Sequence, residues 1–251
     1  MPSEKATALV IRTVEFSETS LVVSLFTREF GKIGALAKGA RRLKGPFESA
    51  LDLLALCRIV FLRKTSDALD LLTEAKLLRR FRPAGRDLGP LYAGYYVAEL
   101  LDALTEEDDP HPELFDLAEE TLQALAAGEP VAKWVARFEL GGLRWLGHLP
   151  SLDACAECGA PITPVGRVPF GQVEGGVLCG RCREGKRQIV LVSAGVLRAM
   201  AQLADPDRLA WRRMEIDARS LGELRSVLNH YLVNLLGRKP RMHEYLGRLA
   251  T

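Results

Sequence analysis

The sequence predicts an α+β chain: a small N-terminal β-barrel, then a mainly helical domain with an inserted four-cysteine module. Three observations carry this. Residues 6–78 hold five short apolar and β-branched runs, separated by glycine and polar turns. After Pro83 the apolar residues recur at helical spacing instead. Two Cys-x-x-Cys units, at Cys155/Cys158 and Cys179/Cys182, then stand in glycine- and proline-rich sequence with 20 residues between the inner cysteines.

The strand runs come first. Ala6 to Glu15 is rich in Val, Ile, Leu and Thr, and Ser20 to Thr27 is a second run. Gly31 opens a third over Lys32 to Lys38. Leu51 to Leu62 reads as a longer strand, and Ala68 to Leu78 follows a turn at Ser66-Asp67. Five short strands in so few residues fit a small closed barrel, either an OB-fold or an SH3-like barrel.

Helices follow. Asp87 to Thr105 carries Leu91, Tyr95 or Tyr96, Ala98 and Leu101 on one face, and its centre is apolar nearly all round, which predicts burial. Glu106 to Pro110 is a breaker. Pro112 to Ala127 and Val131 to Leu146 are two more helices, punctuated by Asp109 and Pro130. Beyond the cysteines, Ile189 to Val192 reads as a strand, and Ser193 caps a helix running to Leu203. A long helix from Leu221 to Leu236 ends at Gly237. The aromatic residues Tyr92, Tyr95, Trp134, Phe138 and Trp145 read as core. The expected organisation is a barrel over 1–80, helices over 81–150, a metal module over 151–187 and further helices over 188–251.

The cysteine pattern is C-x2-C-x20-C-x2-C, formed by Cys155, Cys158, Cys179 and Cys182. A two-residue spacer lets both thiolates of a unit meet one ion. Four thiolates complete a tetrahedral zinc and leave no position for water or substrate, so the expected site holds one structural Zn2+. Two disulfides are the alternative, and they need an oxidising compartment. The first residues show no positive stretch followed by an apolar run, so a cytoplasmic location is expected by default. Gly159, Gly171, Gly175, Gly176 and Gly180, with Pro161, Pro164 and Pro169, make turns and cannot build a core unaided. A metal supplies the missing stability, on the order of 10 kcal/mol in small zinc modules. The fifth cysteine, Cys57, lies in an apolar run and reads as a small buried hydrophobe.

The net charge of +2 hides a segregation. Residues 1–82 carry +6, residues 83–150 carry −9, and residues 151–251 carry +5. Basic blocks of this kind suit a polyanion. The sharpest basic run is Lys38, Arg41, Arg42 and Lys44, with Gly39 and Gly45-Pro46 making it a loop between barrel strands. Such side chains reach phosphates and are expected to bind DNA, with Arg79, Arg80 and Arg82 as further contacts. The alternative is a solvated charge run with no partner. The barrel has no Trp or Tyr, only Phe16, Phe26, Phe30, Phe47, Phe61 and Phe81, most of which fall at core positions. It therefore predicts backbone contact without sequence preference rather than base stacking.

No catalytic constellation is expected. His243-Glu244 lacks the second histidine of a metalloprotease helix, and no Gly-x-Ser-x-Gly occurs. Gly180 to Lys186 imitates a phosphate loop, but Arg187 stands where Ser or Thr would bind magnesium.

On these residues a resemblance is visible. Ala8-Leu9-Val10-Ile11-Arg12, Glu18-Thr19-Ser20-Leu21-Val22, Phe26 to Lys32 and Ala37-Lys38-Gly39-Ala40-Arg41-Arg42 resemble the bacterial RecO recombination mediators, as does the order of barrel, helices and inserted cysteines. The resemblance implies an OB-fold. It also implies binding to DNA, to RecR and to the C-terminal tail of single-stranded DNA-binding protein, in loading of RecA. The two basic regions and the lack of a nucleotide site further predict binding of single- and double-stranded DNA without catalysis, and annealing of complementary strands without ATP. The alternative is a zinc-containing nucleic-acid-binding accessory protein of transcription or translation, which would show sequence or RNA preference. A nuclease would consume DNA when given magnesium.

Overall fold

The computed structural model describes residues 2–42, 47, 50–64, 68–207 and 210–246. These fall into two compact units, residues 1–131 and 132–251.

The first unit opens with β1 (Ser3–Glu15), β2 (Leu21–Thr27), β3 (Gly31–Ala37), β4 (Leu56–Leu62) and β5 (Asp70–Arg79). They close into a barrel in the order β1-β2-β3-β5-β4. All pairs are antiparallel except β3 with β5, which run parallel over Ala35–Ala37 and Asp70–Leu72. Period-two alternation fills the interior: Ala6, Ala8, Val10, Val23, Leu25, Ile33, Ala35, Cys57, Ile59, Phe61 and Leu72 form one buried cluster. Small alanines on β1 and β3 face bulky residues on β2 and β4, so a narrow barrel closes without overfilling.

One expected strand is shorter than its apolar pattern suggested. Leu51 to Ala55 is a turn, and β4 begins only at Leu56. Leu54 takes a positive φ of 65°, and its N–H donates to the Val10 carbonyl. Phe47, Ala50, Leu51 and Ala55 join the core cluster from this turn. The apolar run thus plugs the barrel, which periodicity alone does not distinguish from a strand. The Cys57 thiol is buried, donates to the Ala50 carbonyl at 2.7 Å, and is pushed up to about 12 by burial. It is an inert packing residue.

Two helices complete this unit, α1 (Gly89–Leu104) and α2 (Pro112–Ala126). Proline in the first turn of each starts a helix without wasting an N–H. The Phe115 ring of α2 stacks on Phe26 of β2 at 6.1 Å. Arg28 grips Asp116 through two hydrogen bonds of 2.8 and 2.9 Å. The breaker between the helices does more than interrupt. Glu107 bridges Lys32 in parallel, and the Asp108 N–H donates to the Lys32 carbonyl at 2.9 Å. Gly31, at φ 71°, is required here: a Cβ would fall 2.1 Å from the Asp109 carbonyl oxygen.

In the second unit, α3 (Val131–Trp145) precedes a three-stranded sheet of β6 (Arg167–Gly171), β7 (Gly176–Val177) and β8 (Ile189–Ser193), ordered β7-β6-β8. The helices α4 (Ala194–Ala204), α5 (Ala210–Arg213), α6 (Ala218–Leu236) and α7 (His243–Leu246) follow. Ser193 caps α4 as expected, accepting from the Val196 N–H. Asp217 caps α6, and Gly237 ends it in the left-handed region. Strands β6 and β7 and helices α5 and α7 are too short to leave a periodic signal. Trp134 and Phe138 are buried, Tyr92 and Tyr95 half-buried, but Trp145 is 39% exposed at the end of α3. The expected turn at Ser66-Asp67 lies outside the described residues.

A buried ion pair organises the second unit. Glu139 of α3 is 2% exposed, and Arg225 of α6 donates to its carboxylate. Arg137, also buried, donates to the carbonyls of Leu203 and Asp205 at the end of α4. Among the described residues no helix is long and apolar enough to cross a membrane.

Candidate metal centre and nucleic-acid interface

The four cysteines predicted from spacing converge. Their Sγ atoms all lie within 4.8 Å of one another, and Cys158 and Cys179 are 3.9 Å apart. Four sulfurs bonded to one tetrahedral ion at about 2.3 Å stand about 3.8 Å apart, so the cluster could hold a metal ion. All four thiols are free of disulfide bonds.

Local chain chemistry explains the convergence. The Gly159 N–H returns to the Cys155 carbonyl at 2.9 Å, and Gly159 takes a φ of 69°, closing the first turn directly after Cys158. The Arg183 N–H returns to the Cys179 carbonyl at 3.1 Å, closing the second. The Ala156 N–H donates to the Val177 carbonyl, and the Cys179 N–H faces Cys155 Sγ at 3.4 Å, tying the two turns together. Backbone N–H groups of Cys158, Cys179 and Glu157 lower the Cys155 thiol to about 6. Hydrogen bonds to Cys179 and then to Cys158 push the Cys182 thiol up to about 12. One thiol sheds its proton readily and another keeps its own among electron-rich neighbours. A cation held by Cys155, Cys158, Cys179 and Cys182 would displace such protons.

The module is fastened on its other side. Glu223 of α6 accepts from the Ser193 N–H, the Ser193 hydroxyl and Arg167 at 2.9, 3.1 and 3.2 Å. Asn234 of α6 donates to the Gln172 carbonyl at 3.1 Å. Lys186 reaches Glu157 at 2.7 Å and Glu174 at 3.6 Å.

The predicted DNA-contacting cations separate into two groups. Lys38, Arg41 and Arg42 are exposed on a tight turn after β3, where the Arg42 N–H donates to the Gly39 carbonyl at 3.1 Å. Lys44 lies outside the described residues. Arg41 also meets Glu15 at 3.1 Å. The second group is less available. Arg79 pairs with Glu119 at 2.8 Å, and Arg80 lies 3.8 Å from Asp52. Only Arg82 of that trio is exposed without an ion pair among the described residues. Register also separates the groups: Ala37, just before Lys38, pairs with Leu72, and Arg79 stands seven residues further along β5, about 23 Å of extended strand.

A closed basic barrel, helices and a four-thiol cluster define a protein class by architecture, and comparison with known proteins specifies it. The family model described as "Recombination protein O N terminal" matches residues 1–81, and "Recombination protein O C terminal" matches residues 85–244. The chain is 43% identical over 262 residues to a protein of Rhodopirellula baltica named DNA repair protein RecO, covering 95% of this chain and 97% of the relative. It is 36% identical over 250 residues to the Anaeromyxobacter dehalogenans protein of that name, covering 100% and 98%. For the Moorella thermoacetica protein the figures are 30% over 250 residues, 98% and 91%. The chain belongs to the RecO family of DNA repair proteins.

Proposed function

We propose that this chain is a non-catalytic recombination mediator. It binds single- and double-stranded DNA without sequence preference and anneals complementary strands without ATP. It works with RecR and single-stranded DNA-binding protein to load RecA, in the cytoplasm on the nucleoid. The observation that carries this reading is the exposed basic turn at Lys38, Arg41 and Arg42 on the rim of a closed barrel, within a chain that matches recombination protein O along both parts. The barrel is read as an OB-fold because its order is β1-β2-β3-β5-β4 with β3 parallel to β5. Lys38, Arg41, Arg42 and Lys44 are the primary phosphate contacts, and Arg79, Arg80 and Arg82 are secondary.

The domains in this reading are 1–80, 81–150, 151–187 and 188–251. Cys155, Cys158, Cys179 and Cys182 hold one Zn2+, because an all-thiolate set with sulfurs at these separations suits that ion. The zinc is structural. The chain's own residues do the work: cations neutralise phosphates and so lower the repulsion between two approaching strands.

In this reading the acidic tail of single-stranded DNA-binding protein docks on the helical part of the chain, and the second unit offers a candidate seat. A pocket of about 370 Å³ there is lined by Leu149, Leu152 and Leu197, with Arg144 and Arg198 beside them. It supplies an apolar seat next to two cations. Arg137 and Arg225 are committed to internal partners.

Energy transfer between labelled complementary oligonucleotides tests the reading. Duplex formation is expected to accelerate at low salt without ATP and to slow as salt rises. A rate equal to the protein-free control, with DNA binding saturated, contradicts it.

A further inference from the structure

We propose that Phe16 is a stacking platform for an unpaired nucleobase, so that the barrel holds single strands by base as well as by backbone. This rests on the reading of the barrel as a DNA-binding domain. Composition pointed the other way, toward a barrel without stacking residues. The structure separates its phenylalanines. Phe26, Phe47 and Phe61 are 2% exposed or less, whereas Phe16 is 64% exposed.

The ring stands on an ordered turn beside the basic loop. The Phe16 and Ser17 N–H groups both donate to the Ser20 carbonyl, at 3.1 and 3.3 Å. Glu15 pairs with Leu21 and Leu21 with Ala37, so Phe16 and Lys38, the next residues along, stand at one rim of the barrel. The Arg41 N–H donates to the Thr19 carbonyl at 3.1 Å, and its guanidinium meets Glu15. The aromatic turn and the cationic turn are thereby fixed to each other.

The sheet below the rim continues this chemistry. One cross-strand row is Val14, Val22 and Leu36; the next is Arg12, Ser24 and Gly34. Val14 is 45% exposed and Arg12 is exposed, while Val22, Ser24, Gly34 and Leu36 are half-buried. Ser24 is the small residue of the second row, and the space over Gly34 is already taken by Leu69, whose Cδ2 would lie 3.1 Å from a Cβ there. Glu107, whose Oε1 would lie 3.5 Å from a Cβ at Gly34, bounds the strip on its far side. A strip that is apolar and cationic by turns matches a single strand, which offers both a base face and phosphates. A duplex hides its base faces and gains nothing from the ring.

Fluorescence anisotropy of the full chain tests this, using a labelled thymidine oligomer and a duplex of equal length. Phe16→Ala is expected to weaken single-strand binding about five- to tenfold, the lower range for loss of one stacked base. Duplex affinity and the salt slope stay unchanged, and Phe16→Trp restores single-strand binding where Phe16→Leu does not. Circular dichroism confirms that each variant is folded. Unchanged single-strand affinity in Phe16→Ala, or an equal loss on both DNAs, overturns the platform while leaving the DNA-binding reading in place. So does normal DNA binding coupled to loss of a protein partner, which would assign the ring to that partner. Failure of the wild-type chain to bind either DNA at low salt removes both.

Discussion

The barrel and the cysteine module are both built from short strands, yet they spend their sequence differently. The barrel hides more than a dozen apolar side chains in one cluster, and its polar loops are free to carry cations. The module between Ser151 and Ser193 buries only a few, among them Leu152, Val168, Phe170, Val177, Leu178 and Val192. Its turns return backbone hydrogen bonds around four thiols instead. A region without a large core can still be ordered when its chain ends meet at one ion. Some cations differ likewise, although Arg28 and Arg79 of the first unit are paired with Asp116 and Glu119. In the barrel, Lys38, Arg41 and Arg42 face solvent. In the second unit, Arg137 and Arg225 are taken up by buried carbonyls and Glu139.

The comparison breaks most visibly at the metal ligands. Elemental analysis of the reduced wild-type protein is expected to give one zinc per chain, and Cys155→Ser is expected to abolish it. Hydrogen exchange should then lose protection over residues 151–193 and keep it over 3–79. Simultaneous loss in the barrel would show that its order depends on the module after all.

The buried pair sets the next effect. Glu139→Ala leaves Arg225 without its carboxylate in a largely dry site, costing about 3–5 kcal/mol. Urea unfolding of the second unit measures it. Replacing both residues together by apolar ones should recover much of the loss, because the pair costs desolvation as well as contributing attraction.

Charge on the rim gives a sharper, smaller effect. Changing Lys38, Arg41, Arg42 and Lys44 to Ala should reduce the log–log salt slope of single-strand binding by about 3, near 0.7 per phosphate contact. Thermal stability should hardly move, since exposed ion pairs such as Arg41–Glu15 contribute little. An unchanged slope would shift the contact to Arg79, Arg80 and Arg82.

The smallest effect concerns the α6 cap. Hydrogen bonds from Ser220 hold the Asp217 carboxyl below its ordinary value. Its contribution is present above the unfolded-state value and is lost as pH falls through the lowered folded value. Asp217→Asn should therefore make unfolding slightly less acid-dependent there, as a pH series of melts would reveal.

Much of the architecture was legible because its signals are local. Gly237 stops α6, Ser193 starts α4, and prolines open α1 and α2. The cysteine cluster was legible because ligand spacing is itself a geometric statement. Other features were hidden. Leu51 to Ala55 looked like strand, since a buried turn and a buried strand are equally apolar. Glu106 to Pro110 looked like a simple breaker, although Glu107 and Asp108 engage Lys32 of β3.

By itself the sequence determined the α+β order, the alternation that fills the barrel, the four clustered cysteines and the basic turn, because each depends on neighbours a few residues away or on a fixed spacing. Only the tertiary structure decided which cations stay exposed and which meet a carboxylate. It also decided that Phe16 is exposed while Phe26 is buried against Phe115. Exposure depends on what another segment brings into contact, and Arg79 and Glu119, 40 residues apart, show no relation until the chain closes.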